Sequence, residues 1–146
     1  MKSILVINGP NLNLLGKREP DVYGKQTLEQ LNDLIAKKGK TLGLKTTFFQ
    51  SNIEGELINQ IQEAEKKHQG VIINPGGLTH TSVSLRDAFS AISIPTIEVH
   101  LSNIYAREEF RQKSLISGVV QGVICGFGVD GYLMAIEELS RLLVKG

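Results

Sequence analysis

The sequence contains no tryptophan, a single cysteine and almost no excess of charge of either sign. Its 16 basic and 15 acidic side chains leave a formal charge of +1, which provides no strong field for a nucleic-acid backbone or an anionic membrane. One cysteine cannot form an internal disulfide. No apolar run is long enough to cross a bilayer, and no signal-peptide pattern stands at the N-terminus. We therefore expect a cytoplasmic protein that binds neither nucleic acid nor membrane.

The remaining composition predicts one folded domain. Hydrophobic residues make up 41% of the chain and charged residues 21%, a balance that is typical of a globular protein with a buried core. A length of 146 residues suits a single domain, which we place over residues 1–146. The one cysteine, Cys125, lies among apolar residues and is predicted to be buried and inert.

Short apolar runs alternate with segments of helical periodicity. Runs rich in Ile, Val, Phe and Thr predict strands buried on both faces over residues 3–9, 44–51, 70–76, 95–100 and 118–126. Apolar residues at helical spacing predict helices over residues 28–43, 55–68, 81–92 and 131–145. Thr27 with Gln30 forms a capping box for the first helix, and Ser51 with Glu54 is expected to open the second. A strand followed by a helix, repeated along the chain, predicts an α/β fold with a parallel sheet covered on both sides.

Polar side chains collect in the loops after the first, third and fourth predicted strands. In an open parallel sheet, ligands bind beyond the carboxyl ends of the strands, so these loops form the predicted site. The candidates are Asn8, Asn11, Arg18 and Tyr23, then Asn74, His80, Ser82, Arg86 and Asp87, then Glu98, His100, Ser102, Asn103, Tyr105 and Arg111. The third histidine, His68, lies at the end of a charged helix and is not a candidate for the site.

Three familiar binding motifs do not fit. The first loop has six residues between its glycines, where a P-loop has four, and its lysine is followed by Arg18 in place of Ser or Thr. The segment GFGVDG matches G-x-G-x-x-G, but it opens the last helix and no further strand is predicted to supply the acidic ribose ligand. Helix capping and close packing explain its glycines. His80 and His100 have no cysteine or acid pair at a metal-ligand spacing, so no metal site is predicted.

A site with bases, acids and hydroxyl-binding groups suits proton transfer on a small polar anion. A free phenol has a pKa of about 10, so a tyrosine base near neutral pH needs a cation beside it. One arginine about 4 Å away, at an effective dielectric near 20, supplies roughly 4 kcal/mol. Arg18, five residues before Tyr23, is within reach. The alternatives are that Tyr23 only packs over the loop edge and that Arg18 pairs with Glu19 or Asp21.

His100 is the candidate acid of this site. Glu98 lies two residues earlier on the same face of the predicted strand. A carboxylate there would orient the imidazole so that it protonates a leaving group. The alternative is that His100 only caps the end of its strand.

Three motifs, NGPNLNLLGKREPDVYG, NPGGLTHTSVSLRDA and EVHLSNIYAREEFRQKS, resemble in order and spacing those of the type II 3-dehydroquinate dehydratases. The resemblance extends to the closing GFGVDGYLMAI and covers essentially the whole chain. It implies a flavodoxin-like three-layer α/β/α sandwich with a five-stranded parallel sheet. It also implies the anti (trans) dehydration of 3-dehydroquinate to 3-dehydroshikimate through an enolate, without metal, Schiff base or cofactor. That reaction serves the shikimate pathway of aromatic amino acid biosynthesis and also quinate breakdown.

The same resemblance implies a role for each matching residue of the first loop. Tyr23 is the base that removes the proton beside the ketone, and Arg18 keeps it ionised. Asn11 holds the water that stabilises the enolate oxygen. Residues 9–26 form a lid that carries these groups over the substrate.

The other two motifs imply the acid, the substrate contacts and the assembly. His100 protonates the departing hydroxyl, and Glu98 fixes its ring. The implied substrate contacts are Asn74 and the backbone amides of Leu101 and Ser102 for the carboxylate, with His80 and Arg111 for the hydroxyls. Asp87 is the position that reaches into a neighbouring subunit's site, which implies a homo-oligomer, a dodecamer of four trimers.

Two rival classes share a fold of this kind. A module that binds FMN or another nucleotide should show a Ser/Thr-rich phosphate loop after the first strand and aromatic side chains around the ring, whereas this loop is rich in asparagine. A phosphoacceptor receiver domain needs acidic residues after the first strand and an aspartate at the end of the third. Asn8 and Asn74 stand at those positions.

Overall fold

The computed structural model describes residues 1–145, which form one parallel sheet and its covering helices. The strands are β1 Lys2–Asn8, β2 Leu44–Gln50, β3 Gly70–Asn74, β4 Thr96–His100 and β5 Gly122–Cys125. The α-helices are α1 Pro20–Tyr23, α2 Leu28–Thr41, α3 Glu54–Lys67, α4 Val83–Ser90 and α5 Asp130–Lys145. Short 3-10 turns cover Leu12–Leu14, Gly76–His80, Ile104–Ala106, Glu109–Arg111 and Ser117–Val119.

Alternate side chains of β1 point to opposite faces of the sheet, as the pleat of a strand requires. Ile4 and Val6 pack in the layer that contains α2 and α5, whereas Leu5 and Ile7 pack in the layer with α3 and α4. All four are buried, which explains why this strand is a continuous apolar run. The strand order β2-β1-β3-β4-β5 is the flavodoxin-like order. The predicted three-layer sandwich is therefore confirmed.

The outer strands differ from the prediction of burial on both faces. β2 and β5 lie at the edges of the sheet, where most of their side chains are partly exposed. Cys125, at the end of β5, is also partly exposed, so the prediction that it is buried was wrong. Residues 101–121, between β4 and β5, form three 3-10 turns without an α-helix. The strand–helix alternation is interrupted there.

The predicted helix starts are confirmed in one case and wrong in another. Thr27 and Gln30 form the capping box of α2, since each side chain accepts the backbone N–H of the other. The N-cap of α3 is Ile53, which has no side-chain cap. Ser51 lies two residues earlier, and its hydroxyl accepts the N–H of Ile53. It does not form the expected cap with Glu54, because the helix begins two positions too late for that spacing.

The order of the strands reverses between β1 and β3, and this switch point is where ligands bind in open parallel sheets. β1 ends at Asn8, β3 at Asn74 and β4 at His100, so the three polar loops of the sequence meet at one edge. Across residues 1–145, none of the helices combines the length and the apolar character of a membrane span.

Candidate active site

The loops after β1, β3 and β4 enclose a cavity of about 180 Å³. Its polar lining consists of Asn11, Arg18, Tyr23, Asn74, His80, His100, Ser102, Arg107 and Arg111. Leu101 also lies at its wall. Among the described residues, this lining has three arginines and no carboxylate side chain. Such a charge distribution favours a small anionic ligand.

Tyr23 lies close to two guanidinium groups. Arg107 Nη1 donates a hydrogen bond of 2.7 Å to the Tyr23 hydroxyl, and its Cζ is 5.1 Å from the ring centroid. Arg18 Cζ is 5.0 Å from the same centroid, but Arg18 also pairs with Glu19 at 3.4 Å on the surface. Arg107 therefore bonds the Tyr23 oxygen, and Arg18 lies near the Tyr23 ring. Arg18 also forms the alternative pair with Glu19.

Arg107 is the functional candidate that the sequence reading missed. It stands four residues before Arg111 in the same motif. The presence of two arginines in that motif was the signal that could have identified Arg107. Its side chain is 15% exposed, compared with 38% for Arg18. Because solvent screens a charge less when it is buried, the charge of Arg107 is less screened than that of Arg18.

Asn11 reaches the cavity from a strained position. Its backbone has φ 72°, in the left-handed region that asparagine tolerates better than most residues. The Asn11 N–H donates to Asn52 Oδ1 at 2.9 Å, and Gln50 Nε2 donates to the same oxygen at 3.2 Å. The loop after β2 therefore holds the backbone of Asn11, whose side chain faces the cavity.

Asn74 is fixed by a buried chain of hydrogen bonds under the cavity. Its Nδ2 donates to the Tyr132 hydroxyl at 2.8 Å, and its Oδ1 accepts the N–H of Gly76 at 3.1 Å. The Tyr132 hydroxyl donates in turn to Asn8 Oδ1 at 2.6 Å. Burial raises the pKa of Tyr132 well above its ordinary value, more than the Asn74 hydrogen bond lowers it. The neutral phenol therefore sets the orientation of the Asn74 amide.

His100 and Glu98 form a buried pair on β4. Nε2 of His100 contacts Oε2 of Glu98, and Glu98 has no exposed surface. Burial raises the pKa of Glu98, but the hydrogen bond and charge of His100 and the hydroxyls of Ser117 and Thr79 together lower it further, so the net pKa lies below its usual value. The predicted contact between these two side chains is present, with Glu98 behind the histidine and away from the cavity.

His80 and Arg111 lie at the cavity mouth beside His100. The His80 Nδ1 donates to the Lys113 carbonyl at 2.7 Å, which leaves Nε2 as the free ring nitrogen. The His80 and His100 rings are stacked with their centroids 6.5 Å apart. Arg111 Nε donates to Glu108 at 3.1 Å. His80 and Arg111, which are predicted to bind hydroxyls, therefore both line the cavity. Each side chain also donates one hydrogen bond to the protein.

Several candidates of the sequence lie outside the cavity. Asp87 is exposed on α4 and does not line the cavity of its own chain. Ser82 caps α4 by accepting the Leu85 N–H, and Arg86 donates to the Leu115 carbonyl at 2.6 Å. Tyr105 is 64% exposed. Among residues 1–145, His, Cys, Asp and Glu side chains do not gather in threes that could hold a metal ion.

The comparisons with known proteins agree over almost the whole chain. A model of the family described as Dehydroquinase class II matches residues 2–140. A 3-dehydroquinate dehydratase of Endomicrobium trichonymphae is 54% identical over 143 residues, 98% of this chain and 100% of that protein. One of Clostridium botulinum is 55% identical over 145 residues, 99% of each chain. A crystal structure of a type II dehydroquinase from Propionibacterium acnes has a TM-score of 0.93 at 41% identity and covers 97% of both chains. The chain belongs to the class II dehydroquinase family.

Proposed function

We infer that this protein is a type II 3-dehydroquinate dehydratase, a hydro-lyase, and we propose that Tyr23 and His100 are its base and its acid. The observation that supports these roles is their placement in one cavity. A tyrosine hydroxyl hydrogen-bonded to Arg107 stands on the lid side, and a histidine paired with buried Glu98 stands on the sheet side. The nucleotide-binding alternative is not favoured, since the matching family and relatives are dehydroquinases.

The reaction begins at the lid. Tyr23, as phenolate, removes the proton next to the ketone, and the electron pair passes to the carbonyl oxygen to give an enolate. Arg107 and Arg18 stabilise the phenolate before transfer, because each places positive charge close to it. Asn11 holds the water that donates to the enolate oxygen. This assignment requires residues 9–26 to act as a lid over the bound substrate.

The elimination ends at the sheet. The enolate re-forms the ketone as the carbon–oxygen bond to the leaving hydroxyl breaks, and His100 donates the proton that turns this hydroxyl into water. The products are 3-dehydroshikimate and one water. Glu98, ionised and buried, contacts Nε2 of His100 and fixes the orientation of its ring.

The substrate is held by its carboxylate and its hydroxyls. The amide of Asn74 and the backbone N–H groups of Leu101 and Ser102 would bind the carboxylate. His80 and Arg111 would bind the hydroxyls, using the donors that the protein leaves free. Since the three arginines surround the cavity, the anionic substrate also gains a favourable long-range field.

We propose the dodecamer of four trimers as the working assembly, with the cytoplasm as its location. Asp87 supports a contribution between subunits, because it is exposed and lies away from the cavity of its own chain. Size-exclusion chromatography with light scattering would measure the mass of the particle. A monomer with full activity would contradict this part of the proposal.

The experiment that tests the function is a direct assay. Purified protein is mixed with 3-dehydroquinate, without added metal or cofactor, and the ultraviolet absorbance of the conjugated enone is followed with and without borohydride pretreatment. We expect a rise that survives borohydride, since no Schiff base takes part. Absence of a rise from a folded, assembled sample would refute the proposed activity.

The same assay tests the base. Tyr23→Phe removes the only oxygen that we propose as proton acceptor, so turnover should fall at least about 1,000-fold, within the range that acid–base catalysis contributes. Tyr105→Phe is the matched control, because Tyr105 is exposed and outside the cavity, and it should retain wild-type activity. Substantial turnover by a folded Tyr23→Phe protein would remove Tyr23 as the base.

A further inference from the structure

Three hydroxyl groups converge on the buried carboxylate of Glu98. Thr79 Oγ1 donates to Oε2 at 2.6 Å, and Ser117 Oγ donates to Oε1 at 2.6 Å. Ser114 Oγ lies 3.1 Å from Oε2 and 3.3 Å from Oε1. We call Thr79, Ser114 and Ser117 the hydroxyl cluster. It meets the carboxylate from the side opposite to the reaction, since none of its members lines the cavity.

Burial makes these contacts necessary. A carboxylate without exposed surface loses its hydration and stays ionised only when other donors replace the water. An ionised carboxylate offers about four acceptor positions, and His100 together with the cluster supplies up to four donors. The geometry of Glu98 is therefore determined on both oxygens. A rotation of the carboxylate away from His100 would break at least one of the short hydroxyl contacts.

The hydroxyls are themselves held by backbone. Ser114 Oγ accepts the N–H groups of Ile116 at 3.1 Å and Ser117 at 3.0 Å. The Thr79 carbonyl accepts the N–H of Leu115 at 2.7 Å. Two segments that are distant in sequence, the 3-10 turn that contains Thr79 and the turn at residues 114–117, are thus joined around Glu98. The cluster is a rigid support and not a set of freely rotating hydroxyls.

Few charged groups lie close to Glu98, and the hydroxyl cluster that contacts it is neutral. His100 is its one ion-pair partner among residues 1–145. His80 stacks on the His100 ring from the turn that also carries Thr79, and Arg86 of α4 is bonded to the Leu115 carbonyl. Neither His80 nor Arg86 contacts the carboxylate. Apart from His100, the neutral hydroxyls are therefore the groups that stabilise its charge.

We propose that Thr79, Ser114 and Ser117 are positioning residues for the acid, which act by keeping Glu98 ionised and aimed at His100. This inference rests on the proposed function of His100 as the proton donor. The Nε2 of His100 is occupied by Glu98, so Nδ1 is the nitrogen left to act on the substrate. If the carboxylate turned away, the ring would lose the contact that fixes its orientation.

The test compares isosteric variants. Thr79→Val and Ser117→Ala, singly and combined, remove one or two donors with little change of shape, whereas Thr79→Ser keeps the hydroxyl. Thr96→Val is the matched control, because Thr96 is buried on the same strand as Glu98 and its hydroxyl contacts a backbone carbonyl. We expect the double variant to lose about 10- to 100-fold in kcat, part of what a positioned acid contributes. KM should stay within about twofold of the control, and Thr79→Ser should keep most of the activity.

A second measurement separates positioning from mere stability and needs no substrate. The carboxyl carbon of Glu98 is titrated by ¹³C NMR and assigned by its loss in Glu98→Gln. Removal of donors to the ionised form should raise the pKa of Glu98 in Thr79→Val and in Ser117→Ala, and leave it unchanged in Thr96→Val.

Two results would overturn the inference. One is a double variant whose kcat equals that of Thr96→Val, and the other is a Glu98 titration that the variants do not shift. If the wild-type protein itself fails to dehydrate 3-dehydroquinate, the proposed function fails, and the titration still decides whether the cluster controls Glu98. If the double variant does not fold, Thr79→Val alone decides both measurements.

Discussion

Tyr23 contacts one arginine that is near it in the chain and one that is far from it. Arg107, 84 positions later, donates to its hydroxyl, while Arg18, five positions before it, lies over its ring. At an effective dielectric near 20, a unit charge about 4 Å away contributes roughly 4 kcal/mol. Solvent screening reduces this contribution, and it does so less for Arg107, which is the more buried of the two.

Removal of Arg107 should therefore be more damaging than removal of Arg18. A hydrogen bond to a charged group contributes about 1.5 to 3 kcal/mol, so Arg107→Ala should lower kcat/KM by roughly 10- to 100-fold. Arg18→Ala should lower it by less, because the Arg18 side chain is more exposed to solvent.

Steady-state rates measured across pH check this prediction. Arg141→Ala is the control, since this arginine is exposed and pairs with Glu138 on α5. An Arg107→Ala profile that superimposes on that of Arg141→Ala would show that Arg107 does not assist the base.

Helix α5 contributes to the site although none of its side chains lines the cavity of about 180 Å³. Tyr132 on α5 links the ends of β1 and β3 by bonding Asn8 and Asn74. The cavity floor thus depends on a helix from the last part of the chain. This link also explains why the sequence places a tyrosine in an otherwise apolar core layer, since a buried phenol needs partners for its oxygen.

Tyr132→Phe should destabilise the fold by about 1 to 3 kcal/mol, because Asn8 Oδ1 loses its donor and Asn74 Nδ2 loses its acceptor. KM for the substrate should rise more than kcat falls, since the amide of Asn74 loses its fixed orientation. Urea denaturation and steady-state kinetics measure the two effects. Tyr105→Phe, an exposed change, is the control for both. Unaltered stability in Tyr132→Phe would contradict the importance of this link.

The segment of residues 9–26 is the part of the chain that sequence periodicity described least well. We predicted an irregular loop, yet Pro20–Tyr23 forms one helical turn with proline at its start. Proline is favoured at the first position of a helix, but four residues are too few to show a helical repeat. Gly16 enters this region with φ 87°, and a Cβ there would lie 2.8 Å from the Lys25 carbonyl oxygen. Both its conformation and its close contact require glycine.

At the scale of the whole molecule, pH acts on stability through a group remote from the cavity. His68 ends α3 and its Nδ1 lies 2.7 Å from the Ser3 hydroxyl. Burial lowers the pKa of His68, and the charges of Lys67 and Lys45 lower it further. The folded protein therefore binds this proton less readily than the unfolded chain, whose histidine has a pKa of about 6.5. Stability from this group is present above that pH and is lost as the pH falls through it.

The variant His68→Gln should accordingly lose less unfolding free energy than the wild type between about pH 7.5 and pH 5.5. Urea denaturation at the two pH values measures this difference. His80 and His100 are present in both proteins, so their titration cancels in the comparison. An equal loss in the two proteins would mean that His68 does not contribute.

Much of the fold followed from local chemistry. Apolar runs marked the five strands, and the capping box of Thr27 and Gln30 marked a helix start, because burial on two faces and helix ends both impose patterns within a few residues. The sequence did not indicate that β5 lies at an edge, since β5 is as apolar as the inner strands. The predicted alternation of strand and helix also fails between β4 and β5, where residues 101–121 form 3-10 turns.

The site was determined in part by the sequence alone. Tyr23, His100 and Glu98 stand in long motifs that resemble those of the type II 3-dehydroquinate dehydratases, and the roles proposed for them follow from that resemblance. Tertiary structure decided which arginine meets the tyrosine oxygen, how Tyr132 fixes Asn74, and which hydroxyls surround Glu98. The physical reason is distance: periodicity and motifs describe neighbours along the chain, whereas hydrogen bonds and charge interactions act over a few ångströms in space, between segments that only folding brings together.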